Sequence, residues 1–476
     1  MMFALIAYVL IAFVLMGRLL LYGVRPTKTL AWLLAIFTIP VGGMLLYFIL
    51  GRNRKKNKFY RFKKNETISR YLQKYNALPH SEAPTTPIPP LLKQHHRLAQ
   101  MMTKSSGAFP TTGNVLQPLK NGPATFEAIF KTLEKARTFI HIQYYIFEEG
   151  DLANRFRSLL IQKAKEGVEV RLLYDALGSR VLSKKFIKSL KAEGIQVYGF
   201  LPMRLGRFLS SVNYRNHRKI VIVDGLYGFT GGINVSDKYI NGDPNLGPWY
   251  DMHLQMKGPV IHSLQAVFAR DWSFASGTEE LLNTNYFAPQ TSAGQSTAQV
   301  VSSGPDSDFS SIQHLYFSLI NKAKNYVYII NPYIIPGEAL LETLKVAALS
   351  GVDVRLLLSA NSDSLLVKWT VRSNFEDLLA AGVKIYLYPD GFLHSKVMLC
   401  DDELSTIGTA NLDIRSFEQN YEVNVLMYDK TITSTLKHDF LNDCKKSQQL
   451  NYHQHLQRSK LERLKEGTAK VFSPIL

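Results

Sequence analysis

Hydrophobic positions along the chain change their period in the same order twice. In TFEAIFKTLEKAR, residues Phe126, Ile129, Phe130 and Leu133 fall on one helical face. In FSSIQHLYFSLINKAK, residues Phe309, Ile312, Leu319 and Ile320 do the same. Each helix runs into a β-rich stretch, 139–147 and 326–335. A helical segment then leads to EGVEVRLLYD (166–175) or SGVDVRLLLS (350–359), and a further helix to GIQVYGF (194–200) or GVKIYLY (382–388). The order strand, helix, strand, helix, strand predicts an α/β fold, a mixed, mainly parallel sheet flanked by helices. Its recurrence predicts two similar lobes, over 111–285 and 286–476, with the polar stretch 277–306 as the connection.

Ahead of the lobes the pattern is apolar without period. Met1–Met16 carries no charge, and Leu30–Leu50 is a run of 21 residues without one. Such a run is long enough to cross a bilayer. A cleaved signal peptide fits the first run alone, but no small-residue cleavage site follows it. Residues 51–64 then hold eight Lys/Arg and no acid. By the positive-inside bias, residues 1–51 form a two-helix transmembrane hairpin in the cell membrane, and the rest of the chain is cytoplasmic. Residues 52–110 read as a basic juxtamembrane segment followed by a Pro-rich linker, with five prolines in 77–90.

Charge narrows the partners. The 476 residues carry a net +18, which suits nucleic acid, an anionic membrane or a phosphate-bearing substrate. The hairpin favours an anionic membrane and a lipid substrate over nucleic acid. Two cysteines, Cys400 and Cys444, offer neither a disulfide framework nor a cysteine zinc site.

Both lobes end in the same polar pattern. NHRKIVIVDGLYGFTGGIN (216–234) has its counterpart in LHSKVMLCDDELSTIGTAN (393–411). His217 and His394 are 177 residues apart, as are Lys219 and Lys396, Asp224 and Asp401, and Asn234 and Asn411. A lone His-x-Lys is an ordinary surface pair, whereas two copies in one register point to a site. Residues i and i+2 of a strand share a face, so each His points with its Lys. Asp224 falls on the opposite face as a brace, and the Asp224-Gly225 turn brings Asn234 back toward His217.

Two ammonium groups and two carboxamides suit a phosphate oxyanion, with Asn234 and Asn411 as phosphate-binding candidates. Lysine beside histidine repels a cation, so no metal and no cofactor is expected. One imidazole acts as nucleophile on phosphorus and the other as acid and then base. Each needs a carboxylate to orient it: Asp251, in GPWYD, for His217, and Glu422, in NYEVN, for His394. Arg204, Arg207, Arg215 and Arg218, interleaved with Phe200, Leu201, Leu205, Phe208 and Leu209, read either as a headgroup-dipping surface or as a solvated basic loop. The tail 461–476 reads as a surface-binding helix.

These residues resemble the phospholipase D superfamily, whose signature is the paired His-x-Lys-x4-Asp motif. WLLAIFTIPVGG, the twin apolar runs and GTANLDIRSFE are similar, more narrowly, to the bacterial cardiolipin synthases. The resemblance implies the catalytic set His217, Lys219, Asp224, His394, Lys396 and Asp401, with His217 as nucleophile and His394 as acid and base. It also implies that two phosphatidylglycerol molecules give cardiolipin and glycerol. Transfer to water, releasing phosphatidic acid, is the alternative that the motifs leave open.

Overall fold

The computed structural model describes residues 2–22, 26–39, 41–47, 88–202, 213–282, 284–287 and 289–473. The first lobe contributes β1 (Thr111–Lys120), β2 (Phe139–Tyr144), β3 (Glu169–Asp175), β4 (Gln196–Phe200), β5 (Ile220–Val223), β6 (Tyr227–Gly231) and β7 (Met252–Lys257). The second repeats them as β8 (Ser296–Ser303), β9 (Tyr326–Ile330), β10 (Asp353–Ser359), β11 (Lys384–Tyr388), β12 (Val397–Cys400), β13 (Leu404–Gly408) and β14 (Asn420–Tyr428).

All fourteen lie in one sheet, in the order β4-β3-β2-β5-β6-β7-β1-β8-β14-β13-β12-β9-β10-β11. Read outward from the β1–β8 junction, the two halves run through corresponding strands in the same succession. Only β2-β3-β4 and β9-β10-β11 are parallel. The other pairings along the path are antiparallel. The sheet is therefore mixed but not mainly parallel as expected. The cause is the Asp224-Gly225 turn and its Asp401 counterpart, which fold β5–β6 and β12–β13 into hairpins that β7, β1, β14 and β8 extend. The segment 277–306, expected as a connection, holds β8 at the centre of the sheet.

The helices Val260–Ser276 and Lys430–Lys446 cover one face of the sheet. The core beneath them crosses the lobe boundary, joining Leu254, Phe268 and Trp272 to Leu399, Val423 and Phe440. The opposite face has a separate core in each lobe. Phe126, Ile129, Phe130 and Phe156 pack in the first, and Ile312, Leu319, Leu344 and Leu356 in the second. At about 1.5–3 kcal/mol for each large apolar side chain buried, the shared face ties the lobes into one body. Phe309, expected on a buried helical face, is 52% exposed, because its helix begins only at Ser311.

Beyond the Pro-rich stretch, Pro90–Gln94 and His96–Ser106 are helical, and Leu98, Ala99 and Met102 pack on the second lobe. The N-terminal runs form the helices Met2–Tyr22, Pro26–Thr38 and Gly42–Leu46, so the second run is divided around 39–41. Among the described residues no helix is long and apolar enough to cross a membrane. The basic flank 51–64, most of the Pro-rich stretch 77–90 and the loop 203–212, with Arg204 and Arg207, lie outside the described residues.

Candidate active site

Each motif histidine stands one residue beyond a short parallel strand pair that joins the two lobes. Arg215–Asn216 pairs with the start of β14, placing Arg215 opposite Asn420 and Asn216 opposite Tyr421. Trp249–Tyr250 pairs with Phe392–Leu393 in the equivalent way. The ladder continues for one more bond on each side: His217 N donates to Tyr421 O at 2.9 Å, and His394 N to Tyr250 O at 2.7 Å.

The next residue on each partner strand is a carboxylate. His217 Nδ1 lies 3.0 Å from Glu422 Oε2, and His394 Nδ1 lies 2.8 Å from Asp251 Oδ2. The pairing is therefore crossed between lobes, the reverse of the expected Asp251–His217 and Glu422–His394. Both carboxylates are fully buried. For His217, whose Nδ1 has no other partner among the described residues, the carboxylate favours the proton on that nitrogen and leaves the Nε2 lone pair for substrate.

Glu422 is further held by the Thr409 hydroxyl and, at 3.3 Å, by Asn420 Nδ2. Asp251 accepts from Met252 N at 2.7 Å. Gly232 passes so close that a Cβ there would lie 2.0 Å from Asp251 Oδ1. Thr409 and Asn420 are carboxylate partners the sequence reading missed. Thr409 left a signal, because it stands where the first copy of the motif has Gly232.

The two lysines are buried beside their histidines. Lys219 Nζ donates to His217 O at 2.7 Å, and Lys396 Nζ lies 2.9 Å from His394 Nδ1. Burial pushes Lys219 down to about 7 and Lys396 down to about 8, each opposed by Glu422 and Asp251. Burial also lowers His217, against Glu422, and takes His394 to about 3 with the help of Lys396. Lys396 acts on His217 and Lys219 on His394 as well, so the two half-sites share one field. Burial would raise both carboxyls. For Asp251 the Lys396 charge and the His394 bond outweigh it, and for Glu422 the His217 imidazole and the Lys219 charge do so.

Asp224 and Asp401, grouped above with the catalytic set, sit at the far ends of β5 and β12. Four strand residues at about 3.3 Å each separate them from the histidine ends. Asp224 accepts from the backbone N–H groups of Arg137, Thr138 and Phe139 and from the Thr138 hydroxyl. Asp401 likewise takes Lys324, Asn325 and Tyr326 N–H. They anchor the starts of β2 and β9 and do not enter the pocket.

The two asparagines differ. Asn234, expected on phosphate, has its carboxamide engaged by Ile146 N at 3.1 Å and the Tyr239 hydroxyl at 3.3 Å. That hydroxyl in turn lies 3.4 Å from His394 Nδ1. Asn411 Oδ1 is buried and has no hydrogen-bond partner among the described residues. Neighbouring rings close the pocket: Tyr145 meets His217 edge-on at 4.8 Å, and Trp249 and Phe392 flank His394 at 5.3 and 5.6 Å.

Arg218 and Ser395, equivalent in register, break the symmetry. Arg218 is wholly buried and binds both Asp271 oxygens at 2.6 and 2.7 Å. It also reaches Glu422 O and Ser303 O in the other lobe at 3.1 and 3.0 Å. It is a fastener under the site and not a headgroup contact. Ser395 is buried with its hydroxyl unmatched.

The family described as "Cardiolipin synthase, PLD-like domain" matches residues 129–272 and 316–444 of the chain. A cardiolipin synthase of Geobacillus sp. (strain WCH70) is 40% identical over 458 residues, covering 95% of this chain and 89% of that protein. The chain belongs to the phospholipase D-like cardiolipin synthase family. Cardiolipin synthase 1 of Bacillus anthracis is 39% identical over 460 residues, covering 95% of this chain and 89% of its own. Residues 4–52 match the family described as "Phospholipase_D-nuclease N-terminal". The fold of the family's lobes is also that of a solved phosphatidylserine synthase of Haemophilus influenzae Rd KW20. The TM-score is 0.61 at 13% identity, over 80% of this chain and 100% of that one.

Proposed function

We propose that the chain is a cardiolipin synthase that transfers a phosphatidyl group from one phosphatidylglycerol to another and releases glycerol. The observation that carries this reading is the pair of imidazoles, each bound at Nδ1 by a carboxylate of the opposite lobe and each without a partner at Nε2 among the described residues. His217 Nε2 attacks phosphorus, forming the P–N bond. The P–O bond to glycerol breaks with its electron pair on oxygen, and the His394 imidazolium supplies the proton. The acceptor's hydroxyl then gives its proton to His394 as its oxygen attacks. The P–N bond breaks with its pair returning to His217, and the reverse sequence is equally allowed.

Lys219, Lys396 and the Asn411 carboxamide would stabilise the equatorial oxygens, and the bound phosphodiester would supply the negative charge that keeps one imidazole protonated. No step calls on a metal or cofactor. In this reading the first lobe spans 111–285 and the second 286–476. Residues 1–51 hold both at the membrane. Supporting this, Ala12, Leu15, Leu19 and Ile36 pack inside the N-terminal hairpin while Phe3, Leu10, Val14, Leu21, Leu34 and Phe37 stay exposed.

The test is to supply the purified protein with phosphatidylglycerol vesicles and separate the lipids, with and without EDTA. Cardiolipin and glycerol, unaffected by the chelator, are expected. Phosphatidic acid without cardiolipin would make the chain a hydrolase and sink the assignment.

A further inference from the structure

The helix Lys460–Val471 is turned the wrong way for a globular protein. It opens on a capping box at Ser459 and packs on the helix Leu365–Arg372. An amphipathic helix normally lays its apolar stripe on the core and shows its charges to water. Here the packed side is polar. Glu466 is 2% exposed and receives Arg372 Nε at 3.3 Å and Arg458 Nε at 2.8 Å. One turn of the helix further on, Ala469 O accepts from the Thr370 hydroxyl at 3.1 Å.

The leucines face outward instead. Leu461, Leu464 and Val471 are 60, 66 and 75% exposed, and Phe472 at the helix end is exposed as well. At 3.6 residues per turn, Leu461, Leu464, Thr468 and Val471 form one continuous stripe. The partner helix adds to it: Leu365 is exposed, and Trp369, on the same face one turn later, is half-buried.

The charges around the stripe are of one sign. Lys460 flanks it on one side and Lys465 on the other, both exposed. Lys465 Nζ stands 5.2 Å over the Trp369 ring, which Lys368 and Arg372 approach at 5.9 and 5.7 Å. The two acids of the helix turn to the packed side, Glu466 between its arginines and Glu462 back onto Ser459 in the capping box. Exposed leucines edged by ammonium groups and an indole match the depth profile of an anionic bilayer, with acyl chains under the leucines and phosphates level with the lysines. A second copy of this chain is a poorer occupant, because it would bring its own net +18 against those lysines.

We propose that the outward face of the helix Lys460–Val471, with Leu365 and Trp369 beside it, docks on an anionic lipid surface. Leu461 and Leu464 enter the boundary between headgroups and acyl chains, and Lys460 and Lys465 hold headgroup phosphates. The second lobe is thereby attached to the bilayer through a contact of its own, independent of the reaction proposed above.

The experiment uses the full-length protein reconstituted in vesicles, with an environment-sensitive fluorophore on Thr468→Cys. The two native cysteines are buried, so the label goes to the new one. In phosphatidylglycerol vesicles, adding a lipid-borne quencher is expected to lower the fluorescence about threefold or more, as for a residue at the headgroup boundary. Phosphatidylcholine vesicles with the same quencher should give a much smaller loss. Lys460→Glu with Lys465→Glu, and separately Leu461→Gln with Leu464→Gln, should each restore most of the fluorescence in phosphatidylglycerol without moving Tm. An unquenched probe, equal quenching in both lipids, or variants quenched like the wild type would overturn the proposal. Energy transfer between labelled copies in place of quenching would overturn it too, making the face an interface between two chains.

Discussion

At His217 and His394 the decisive feature is where Nδ1 goes. Glu422→Gln and Asp251→Asn keep the shape of each pair but remove the charge that holds the proton on that nitrogen. Each is expected to lower kcat by about a hundred- to ten-thousand-fold. Imidazole nitrogen NMR distinguishes the pairs: Glu422→Gln should move the His217 Nδ1 signal and leave that of His394 in place. A within-lobe pairing would give the opposite. The lysines set the pH dependence. Their ammonium forms persist only below about 7 for Lys219 and about 8 for Lys396. kcat/KM, which reports the free enzyme, should therefore fall as pH rises through that range, and a flat profile to pH 9 would contradict it. The chemical types at these positions were legible because two copies kept one register. The pairing was not, because sequence distance favours a partner in the same lobe while the strand pairs Arg215–Asn216/Asn420–Tyr421 and Trp249–Tyr250/Phe392–Leu393 cross between lobes.

The hairpins β5–β6 and β12–β13 depend on their aspartates for a different reason. Asp224 and Asp401 adopt φ of 54° and 51°, in the left-handed region, and each gathers backbone N–H groups from the start of a neighbouring strand. Asp224→Ala loses those bonds and strains the turn, so it should cost about 2 kcal/mol or more, read as a fall in Tm. Activity per folded molecule should fall far less than in a histidine variant. The opposite-face position of Asp224 followed from strand period alone. Strands β1 and β8 did not show themselves. β1 holds Pro118 and a mixed burial pattern, and β8 lies in a Ser/Thr/Gln-rich stretch; pairing between the lobes, which local pattern does not encode, makes them central. The end of the helix at Thr38 and the new start at Gly42 were readable in Pro40, Gly42 and Gly43, signals passed over in a stretch chosen for its lack of charge.

Across the whole molecule the lobes are fastened by the shared core and by Arg218. Removing that guanidinium leaves the buried Asp271 carboxylate with Gln143 and Asn216 as its hydrogen-bond donors among the described residues. Arg218→Met should cost about 3–5 kcal/mol, more than Ser395→Ala at the matching position, and thermal unfolding of the two variants is the comparison. The duplication was plain from the repeat; the asymmetry between Arg218 and Ser395 gains meaning only once the lobes face one another. The crossed carboxylates also make neither lobe sufficient by itself. Half of this molecule, expressed alone, would have an imidazole without its carboxylate and a carboxylate without its imidazole. Such a half becomes a catalyst only by meeting a partner that supplies the missing carboxylate and takes up the spare one. Cutting the connection at 289–295, which carries no regular structure, should accordingly leave activity intact while the fragments stay together and abolish it in either fragment alone.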